Sequence, residues 1–229
     1  MDNQGKIDLI NEFAIFDHLN ENEKVQLAEM MEEYRLSRYS AIYQPGDVSD
    51  TIYLLSKGTI KISTHNDEGK EVIKRLIHPE AIFGERSLVG EACRSESAQA
   101  LKGEVVFYAV KVAAFQKIMI GNPALSQEVL RLFGSRLIAA EDRLENLIFK
   151  DARGRIIEFL HEVVSLRGQR VGFETLLKHS LTHQDIANIT CTSRQTVTLV
   201  LNELRKDNLI YFNRGRILVR DMQQLRAIA

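Results

Sequence analysis

A group of polar side chains between residues 182 and 206 has the chemistry needed to contact the edges of DNA bases. Arg194 can donate two hydrogen bonds to guanine, and Gln195 can pair with adenine through its amide. Thr198 follows Arg194 by one helical turn, so it would share the same face of a helix. The sequence therefore predicts a base-reading surface with these phosphate anchors beside it: Thr182, His183, Gln184 and Ser193.

A second group of polar residues, nearer the middle of the chain, has the chemistry of an anion site. Gly84 lacks a side chain, so backbone N–H groups around it and Glu85 can approach a phosphate closely. Arg94 supplies a permanent cation with parallel donors, and Ser95 adds a hydroxyl group. Glu85 can accept from a ribose hydroxyl. Alternatively, Arg94 and Glu85 form a salt bridge with each other in an empty pocket.

Two short helices must position the base-reading residues. Thr182 and Asp185 approximate a capping box, which predicts a helix that begins after Thr182. Thr190-Cys191-Thr192 predicts a turn, and a second helix is expected to start near Thr192 or Ser193. If Thr192 caps that helix, Gln195 closes a capping box instead of reading a base. The second helix is expected to bury an apolar stripe: Val197, Val200, Leu201 and Leu204.

A basic hairpin follows these helices and predicts a wing. The apolar segments 209–212 and 216–219 flank Asn213-Arg214-Gly215, so Arg214 would lie at the hairpin tip. Residues 151–229 carry a net charge of +4, whereas residues 1–150 carry −5, within a total of −1. A basic C-terminal third indicates contact with a polyanion. The alternative is a helical hairpin with a solvated polar face.

Upstream of the hairpin wing, the chain divides into a strand-rich part and a long helix. Residues 7–33 have helical spacing, and from Tyr39 onwards short apolar segments alternate with turn residues, which indicates a β-sandwich, barrel or jelly roll. Asn122-Pro123 predicts the start of a long helix. Beyond a hinge at Lys150-Asp151, we expect a helix over 152–166. The residues that follow it, 167–170, are expected to form a loop.

The long helix carries a seven-residue apolar repeat, which is typical of a dimeric coiled coil. The alternative is a helix packed on its own β domain. The repeat comprises two rows of apolar residues: Leu130, Leu137 and Leu144, and Phe133, Ala140 and Leu147.

Composition excludes several classes of protein. There is no apolar run of about 18 residues and no signal peptide, so we expect a cytoplasmic protein without a membrane partner. Cys93 and Cys191 form no metal motif, and we expect both to be reduced thiols. An enzyme is not expected, because no nucleophile–base pair, metal cluster or Walker loop is present.

Nearly the whole chain resembles the cyclic-AMP receptor protein/FNR (Crp/Fnr) family of bacterial transcription regulators. The segments 181–187 and 192–197 resemble the helix-turn-helix of that family, and 83–88 with Arg94-Ser95 and Ala100 resembles its phosphate-binding cassette. The resemblance adds Arg86 and Ser87 to the candidate effector residues.

The resemblance also implies the architecture, an α+β protein. We expect an N-terminal double-stranded β-helix, or jelly roll, of the cyclic-nucleotide-binding type over 1–121. A dimerisation helix and hinge follow over 122–150, and a winged helix-turn-helix over 151–229. The implied function is a homodimeric regulator that binds near-palindromic double-stranded DNA, gated by a cyclic nucleotide-like effector, with RNA polymerase as a further partner. One alternative is a DNA-binding regulator without a small-molecule ligand, either constitutive or controlled by a partner protein. The other is a nucleotide-sensing interaction module that has lost DNA binding.

Several positions depart from the family pattern. Ala140 and Glu141 stand where cyclic-AMP binders place hydroxyl residues, and the negative charge of Glu96 disfavours a nearby phosphate. Another nucleotide, or no ligand, is therefore an alternative to cyclic AMP. No N-terminal cysteine cluster is present, and neither a metal, an iron–sulfur cluster nor haem is expected.

The reading face departs from the family as well. Gln195 replaces the usual glutamate, and Leu199 replaces a second arginine, although leucine can still touch a thymine methyl group. These two changes predict an operator that differs from TGTGA half-sites. Cys191 replaces a glycine that is common in the turn, so a mildly strained backbone is expected there.

Overall fold

Eight α-helices and twelve β-strands lie within residues 2–228, which are the residues that the computed structural model describes. They form two compact units, one comprising 2–70 and 74–137 and the other 71–73 and 138–228. The elements as far as residue 121 are α1 (Asn3–Ile10), α2 (Glu21–Met30), β1 (Glu32–Leu36), β2 (Ala41–Tyr43), β3 (Thr51–Lys57), β4 (Ile60–His65), β5 (Glu71–Ile77), β6 (Ala81–Phe83), β7 (Ser97–Ala100), β8 (Val105–Lys111) and α3 (Val112–Gly121). The remaining elements are α4 (Pro123–Phe149), α5 (Ala152–Arg167), β9 (Gln169–Val171), β10 (Glu174–Lys178), α6 (His183–Thr190), α7 (Arg194–Lys206), β11 (Ile210–Asn213), β12 (Arg216–Val219) and α8 (Met222–Ala227).

The N-terminal helical segment differs from the prediction of helical structure throughout 7–33. Helix α1 ends at Ile10, a 3-10 turn covers Ala14–Phe16, and α2 begins only at Glu21. The interruption has a local cause, because Asn20 and Glu23 form a reciprocal capping box that starts a new helix. The last two residues of the predicted segment lie in strand β1.

The strand-rich part folds into two four-stranded sheets, with the orders β1-β8-β3-β6 and β2-β7-β4-β5. Strands β3 and β8 contribute side chains to two apolar clusters, one on each face of their sheet. Residues Val105–Val110 of β8 are therefore all buried. The short apolar segments beyond Tyr39 include β5 (Glu71–Ile77) and β8 (Val105–Lys111). The fold class is confirmed as a jelly roll of the cyclic-nucleotide-binding type, followed by a long helix and a C-terminal helix-turn-helix.

The long helix α4 begins where the sequence predicted. The Asn122 side chain accepts a hydrogen bond from the backbone N–H of Leu125 at 3.0 Å, so it caps the helix that starts at Pro123. The helix runs for 27 residues. The leucines at 130, 137 and 144 of the apolar repeat are exposed by 69%, 61% and 58% in the single chain. The helix therefore presents an uncovered apolar stripe.

The C-terminal unit buries the apolar face of α5 against the helix-turn-helix and its wing. Ile156, Ile157 and Leu160 are fully or almost fully buried in that core. The sheet order is β11-β12-β10-β9. The expected loop at 167–170 is wrong, because Arg167 ends α5 and Gln169–Val171 pairs with β10 as a strand. That pairing depends on a partner strand that local sequence patterns do not reveal.

Across residues 2–228, the structure contains no helix with both the length and the apolar character required to cross a membrane.

Candidate effector site and nucleic-acid interface

A tight turn at Gly84 organises the candidate effector site at the end of β6. Gly84 has a φ of +71°, in the left-handed region, and a 3-10 turn over Glu85–Val89 follows it. A Cβ atom at Gly84 would lie 2.9 Å from the Tyr53 ring and 3.1 Å from Nη1 of Arg94. Both the backbone angle and the space therefore require glycine at this position.

The side chain of Arg94 points into the protein. It is 3% exposed, donates to the carbonyl oxygen of Gly84 at 2.9 Å and also donates to the carbonyl of Thr51. Its guanidinium carbon lies 4.4 Å from the centre of the Tyr43 ring, which is a cation–π contact. The alternative of an Arg94–Glu85 salt bridge is wrong, since Arg94 lies 3.9 Å from Glu91, and Glu85 pairs with Arg75 and Arg136 instead.

The hydroxyl groups of the site already have protein partners. Ser87 is buried and donates to the Gly84 carbonyl at 2.8 Å, which stabilises the turn. Ser95 is exposed, accepts from Nη1 of Arg86 at 2.8 Å and donates to Glu91 at 2.8 Å. Arg86 and Ser95 are therefore the cation and hydroxyl of the cassette that reach the surface.

The carboxylate of Glu85 is buried between two arginines. Oε1 accepts from Nη1 of Arg75 at 2.8 Å and lies 2.9 Å from Nε of Arg136 on α4. Oε2 has no hydrogen-bond partner within the described part of the chain. One oxygen of Glu85 is thus free to accept a hydrogen bond from a ligand.

Glu96 is buried beside the same arginine. Its oxygens lie 3.1 Å from Nη2 of Arg75, 3.3 Å from Nζ of Lys74 and 3.6 Å from Nη1 of Arg86. The negative charge of Glu96, which was expected to disfavour a nearby phosphate, is therefore neutralised by three cations of the protein itself.

Burial and the neighbouring carboxylates shift the pKa values of the two arginines in opposite directions. Burial lowers the pKa of Arg75, but Glu85 and Glu96 more than compensate and raise it above its ordinary value. Burial lowers the pKa of Arg136 below its ordinary value, although Glu85 opposes that shift. Burial is also the main reason that the pKa of Tyr43 is raised, so its phenol stays neutral beside Arg94.

Sequence reasoning missed three cations of this site, namely Lys74, Arg75 and Arg136. Arg75 lies within the apolar strand β5, and Arg136 lies directly before the apolar residues Leu137 and Ile138 of α4. A charged residue within an apolar pattern could have indicated these positions. Charged residues are seldom buried unless they are paired, so such a residue predicts a buried ion pair. Ala140 and Glu141, further along α4, are exposed.

The first helix of the predicted DNA-reading element is α6. Thr182 caps it, accepting from the backbone N–H of Asp185 at 3.1 Å, and the Asp185 carboxylate accepts from the backbone N–H of Thr182 at 2.8 Å. Gln184 is exposed and its amide donates to Asn188. His183 Nδ1 lies 2.9 Å from Oγ1 of Thr198. Burial, with a smaller contribution from Arg194, lowers the pKa of His183.

The second helix, α7, begins after Ser193, whose hydroxyl accepts from the backbone N–H of Thr196. The alternative in which Thr192 caps α7 and Gln195 closes a capping box is wrong. Arg194, Gln195 and Leu199 are all exposed, with Leu199 at 64%. The predicted apolar stripe is buried: Val197, Val200, Leu201 and Leu204.

The turn between the two helices contains the strained residue that the sequence predicted. Cys191 has a φ of +52°, in the left-handed region that favours glycine. Arg155 of α5 donates to the carbonyls of Thr190 at 2.9 Å, Cys191 at 3.2 Å and Lys150 at 2.8 Å. This guanidinium satisfies the last carbonyls of α6, where a positive charge also stabilises the helix dipole.

The wing forms as predicted from β11 and β12, which pair from Ile210–Val219 to Asn213–Arg216. Arg214 is exposed in the connecting turn, where the Asn213 side chain accepts from its backbone N–H at 2.6 Å. Within residues 2–228, no group of three or more His, Cys, Asp or Glu side chains is arranged to hold a metal ion.

Two protein families match this chain. Residues 33–122 match the cyclic nucleotide-binding domain, and residues 154–228 match the Crp-like helix-turn-helix domain.

Individual proteins match almost the whole length. A CRP-like cAMP-activated global transcriptional regulator of Mycobacterium tuberculosis is 25% identical, over 93% of this chain and 94% of the relative. A global nitrogen regulator of Synechococcus elongatus is 29% identical, over 92% of this chain and 95% of the relative. The solved structure of a CooA mutant from Carboxydothermus hydrogenoformans superposes with a TM-score of 0.75 at 26% identity and covers 87% of this chain and 88% of its own.

These matches cover both the β-rich unit and the helix-turn-helix, and the named relatives are transcription regulators rather than enzymes. The chain therefore belongs to the Crp/Fnr family and is a DNA-binding transcription regulator.

Proposed function

We propose that the protein acts as a homodimer in the cytoplasm, the compartment that holds bacterial DNA. The apolar stripe of α4 supports the dimer, because a seven-residue repeat of exposed leucines is stable in water only when a partner covers it. In this proposal, residues 1–121 sense the effector, 122–150 dimerise and form the hinge, and 151–229 bind DNA. Sedimentation at micromolar concentration tests the dimer, and a monomer at that concentration would contradict it.

The dimer would bind a near-palindromic operator through two copies of α7, one in each half-site. Arg194, Gln195 and Leu199 would face the bases, because their side chains are exposed on that helix. Thr198 flanks them, and phosphates would be held by the remaining polar residues: Thr182, His183, Gln184, Ser193 and the wing residue Arg214. Selection of binding sites from random duplexes tests this assignment. Recovery of an unchanged TGTGA half-site would contradict it.

The effector in this proposal is a cyclic nucleotide or a close analogue. The buried Oε2 of Glu85 is the main observation, because a ribose hydroxyl would supply the hydrogen bond that this oxygen lacks. Gly84 permits the tight turn through its positive φ, and Arg86 and Ser95 lie at the surface of the same site. Ser87 and Arg94 would hold the turn from inside, as their buried hydrogen bonds indicate.

Calorimetry with a panel of cyclic mono- and dinucleotides tests the effector. DNA affinity is then measured by fluorescence anisotropy with and without the nucleotide that binds. A ligand changes DNA affinity only if it binds the two conformations of the protein unequally. We expect one cyclic nucleotide to change DNA affinity at least fivefold. Binding without any change in DNA affinity would contradict gating.

A second candidate is a regulator that needs no small molecule. The partners of Arg94 and Glu96 favour this candidate. Arg94 donates to the Gly84 carbonyl, and Glu96 pairs with Arg75, so both buried charges already have partners within the protein. In that case DNA affinity is high without ligand, and none of the panel binds. Contact with RNA polymerase is a further part of the proposal, and transcription reconstituted with purified polymerase tests it.

A further inference from the structure

Glu96 occupies an unusual place among the residues of the candidate effector site. Its side chain is 3% exposed, yet it carries a carboxylate that contacts Lys74, Arg75 and Arg86 within 3.6 Å. Carboxylates are seldom buried unless cations neutralise them. The position of Glu96 therefore depends on these three cations.

Glu96 is also linked on both sides to residues expected to touch a ligand. Arg86 contacts Glu96 with the same Nη1 atom that donates to the Ser95 hydroxyl. Arg75 contacts Glu96 through Nη2 and Glu85 through Nη1. The Glu96 carboxylate thus lies between Ser95, expected to meet a phosphate, and Glu85, expected to meet a ribose.

The site as a whole carries more positive than negative charge. The charged side chains joined by these contacts are five cations, Lys74, Arg75, Arg86, Arg94 and Arg136, and three carboxylates, Glu85, Glu91 and Glu96. Removing the charge of Glu96 would raise the excess from two positive charges to three. A cluster of this sign attracts anions, and arginine guanidinium groups bind phosphate and carboxylate with the same donors.

We propose that Glu96 is a built-in competitor for the anionic group of the effector, an inference that rests on the proposed effector site. Its carboxylate holds the cations that a phosphate would otherwise engage. An anionic ligand must displace Glu96 or share its cations at close range, and like charges at close range repel. Glu96 thereby lowers the affinity of the site for cyclic nucleotides and determines which ligands can displace it from its cations.

The test compares cyclic AMP binding by calorimetry in the wild-type chain and three single variants. Glu96→Gln keeps the shape of the side chain but removes its charge. Glu96→Asp keeps the charge but shortens the side chain. Glu104→Gln is the matched control, because Glu104 is an exposed carboxylate paired with Lys57 at 3.2 Å outside this cluster.

We expect Glu96→Gln to bind cyclic AMP at least tenfold more tightly than wild type, a difference of about 1.4 kcal/mol. Glu96→Asp and Glu104→Gln should bind within threefold of wild type. Equal binding by wild type and Glu96→Gln overturns the proposal, as does an equal gain in Glu96→Asp, which would indicate altered packing instead of charge. Absence of binding in all four proteins at millimolar nucleotide also overturns it.

Thermal unfolding of each variant is followed first, so that only folded proteins enter the comparison. If Glu96→Gln does not fold, cyclic AMP is titrated into Glu96→Asp and Lys74→Gln, the second of which removes a cation that lies 3.3 Å from Glu96. Lys74→Gln should weaken binding of cyclic AMP at least threefold, and unchanged binding overturns the proposal. Operator binding by the wild type is measured separately, so a failure of DNA regulation is distinguishable from a failure of this inference.

Discussion

The imidazole of His183 and the hydroxyl of Thr198 lie 2.9 Å apart and join the first turn of α6 to the exposed side of α7. Thr198 donates its own proton to the carbonyl of Arg194 at 2.9 Å. Its oxygen must therefore accept from Nδ1 of His183, which fixes the tautomer of the neutral imidazole. This contact holds together the two helices that are expected to meet DNA.

The pKa of His183 gives the contact a pH dependence. Burial and Arg194 lower that pKa below its ordinary value of 6.5, so the unfolded chain binds a proton more readily than the folded chain does. The contribution of His183 to stability is therefore complete above pH 6.5 and is lost as the pH falls towards the folded pKa.

We expect the free energy of unfolding of wild type to fall more steeply between pH 7 and pH 5 than that of His183→Gln. Urea unfolding at a series of pH values measures both slopes, and the variant serves as the control for every other titrating group. Identical slopes would show that His183 has the same pKa in the folded and unfolded chains.

The exposed Leu199 predicts an altered base preference. Leucine cannot donate a hydrogen bond, whereas an arginine at the same position can donate two to guanine, and a good pair of this kind discriminates by about 1–3 kcal/mol. Leu199→Arg should therefore shift selected sites towards guanine at one position in each half-site, with at least a fivefold preference. Gln224→Arg adds the same charge on α8 and should raise affinity without changing the selected sequence.

The stability that a side chain at Gly84 would cost has two parts, one from the backbone angle and one from packing. Gly84 and Gly90 both have positive φ angles, 71° and 91°, but only Gly84 has neighbours where a Cβ would lie. Gly90→Ala should cost about 1 kcal/mol of stability from its backbone angle alone. Gly84→Ala should cost at least about 1 kcal/mol more, because its Cβ would overlap the Tyr53 ring. Equal losses in chemical denaturation would contradict this packing argument.

The comparison of sequence with structure shows where local patterns suffice. The capping residues Thr182 and Asn122 and the apolar stripe of α7 are set by neighbours within four residues, so the helices could be predicted. The orientation of Arg94 could not be predicted, because its partner Thr51 lies 43 residues away on strand β3. The pairing of Glu85 with Arg136 bridges 51 residues and requires both a closed β-roll and the middle of α4.

Cys191 makes the helix-turn-helix turn a site where stability can be gained. A residue with a Cβ at a φ of +52° costs roughly 1 kcal/mol relative to a right-handed conformation, whereas glycine adopts that angle freely. Cys191→Gly should therefore be more stable than Cys191→Ala by about 1 kcal/mol in urea unfolding. The alanine variant controls for the lost thiol, which lies 3.9 Å from Nη2 of Arg143. Equal stability of the two variants would show that the turn relaxes around the side chain.

The exposed stripe on α4 allows the proposed dimer to be tested with one added charge. Leu137 is 61% exposed in the single chain and lies in the middle of the repeat, so Leu137→Glu would place two facing carboxylates in a dimer interface. Ser135 is exposed on the opposite side of the same helix, and Ser135→Glu adds the same charge there. We expect Leu137→Glu to weaken dimerisation at least a hundredfold by sedimentation, with parallel loss of operator binding, because each half-site then binds alone. Ser135→Glu should remain dimeric. If both variants sediment as dimers, the apolar stripe is not the interface.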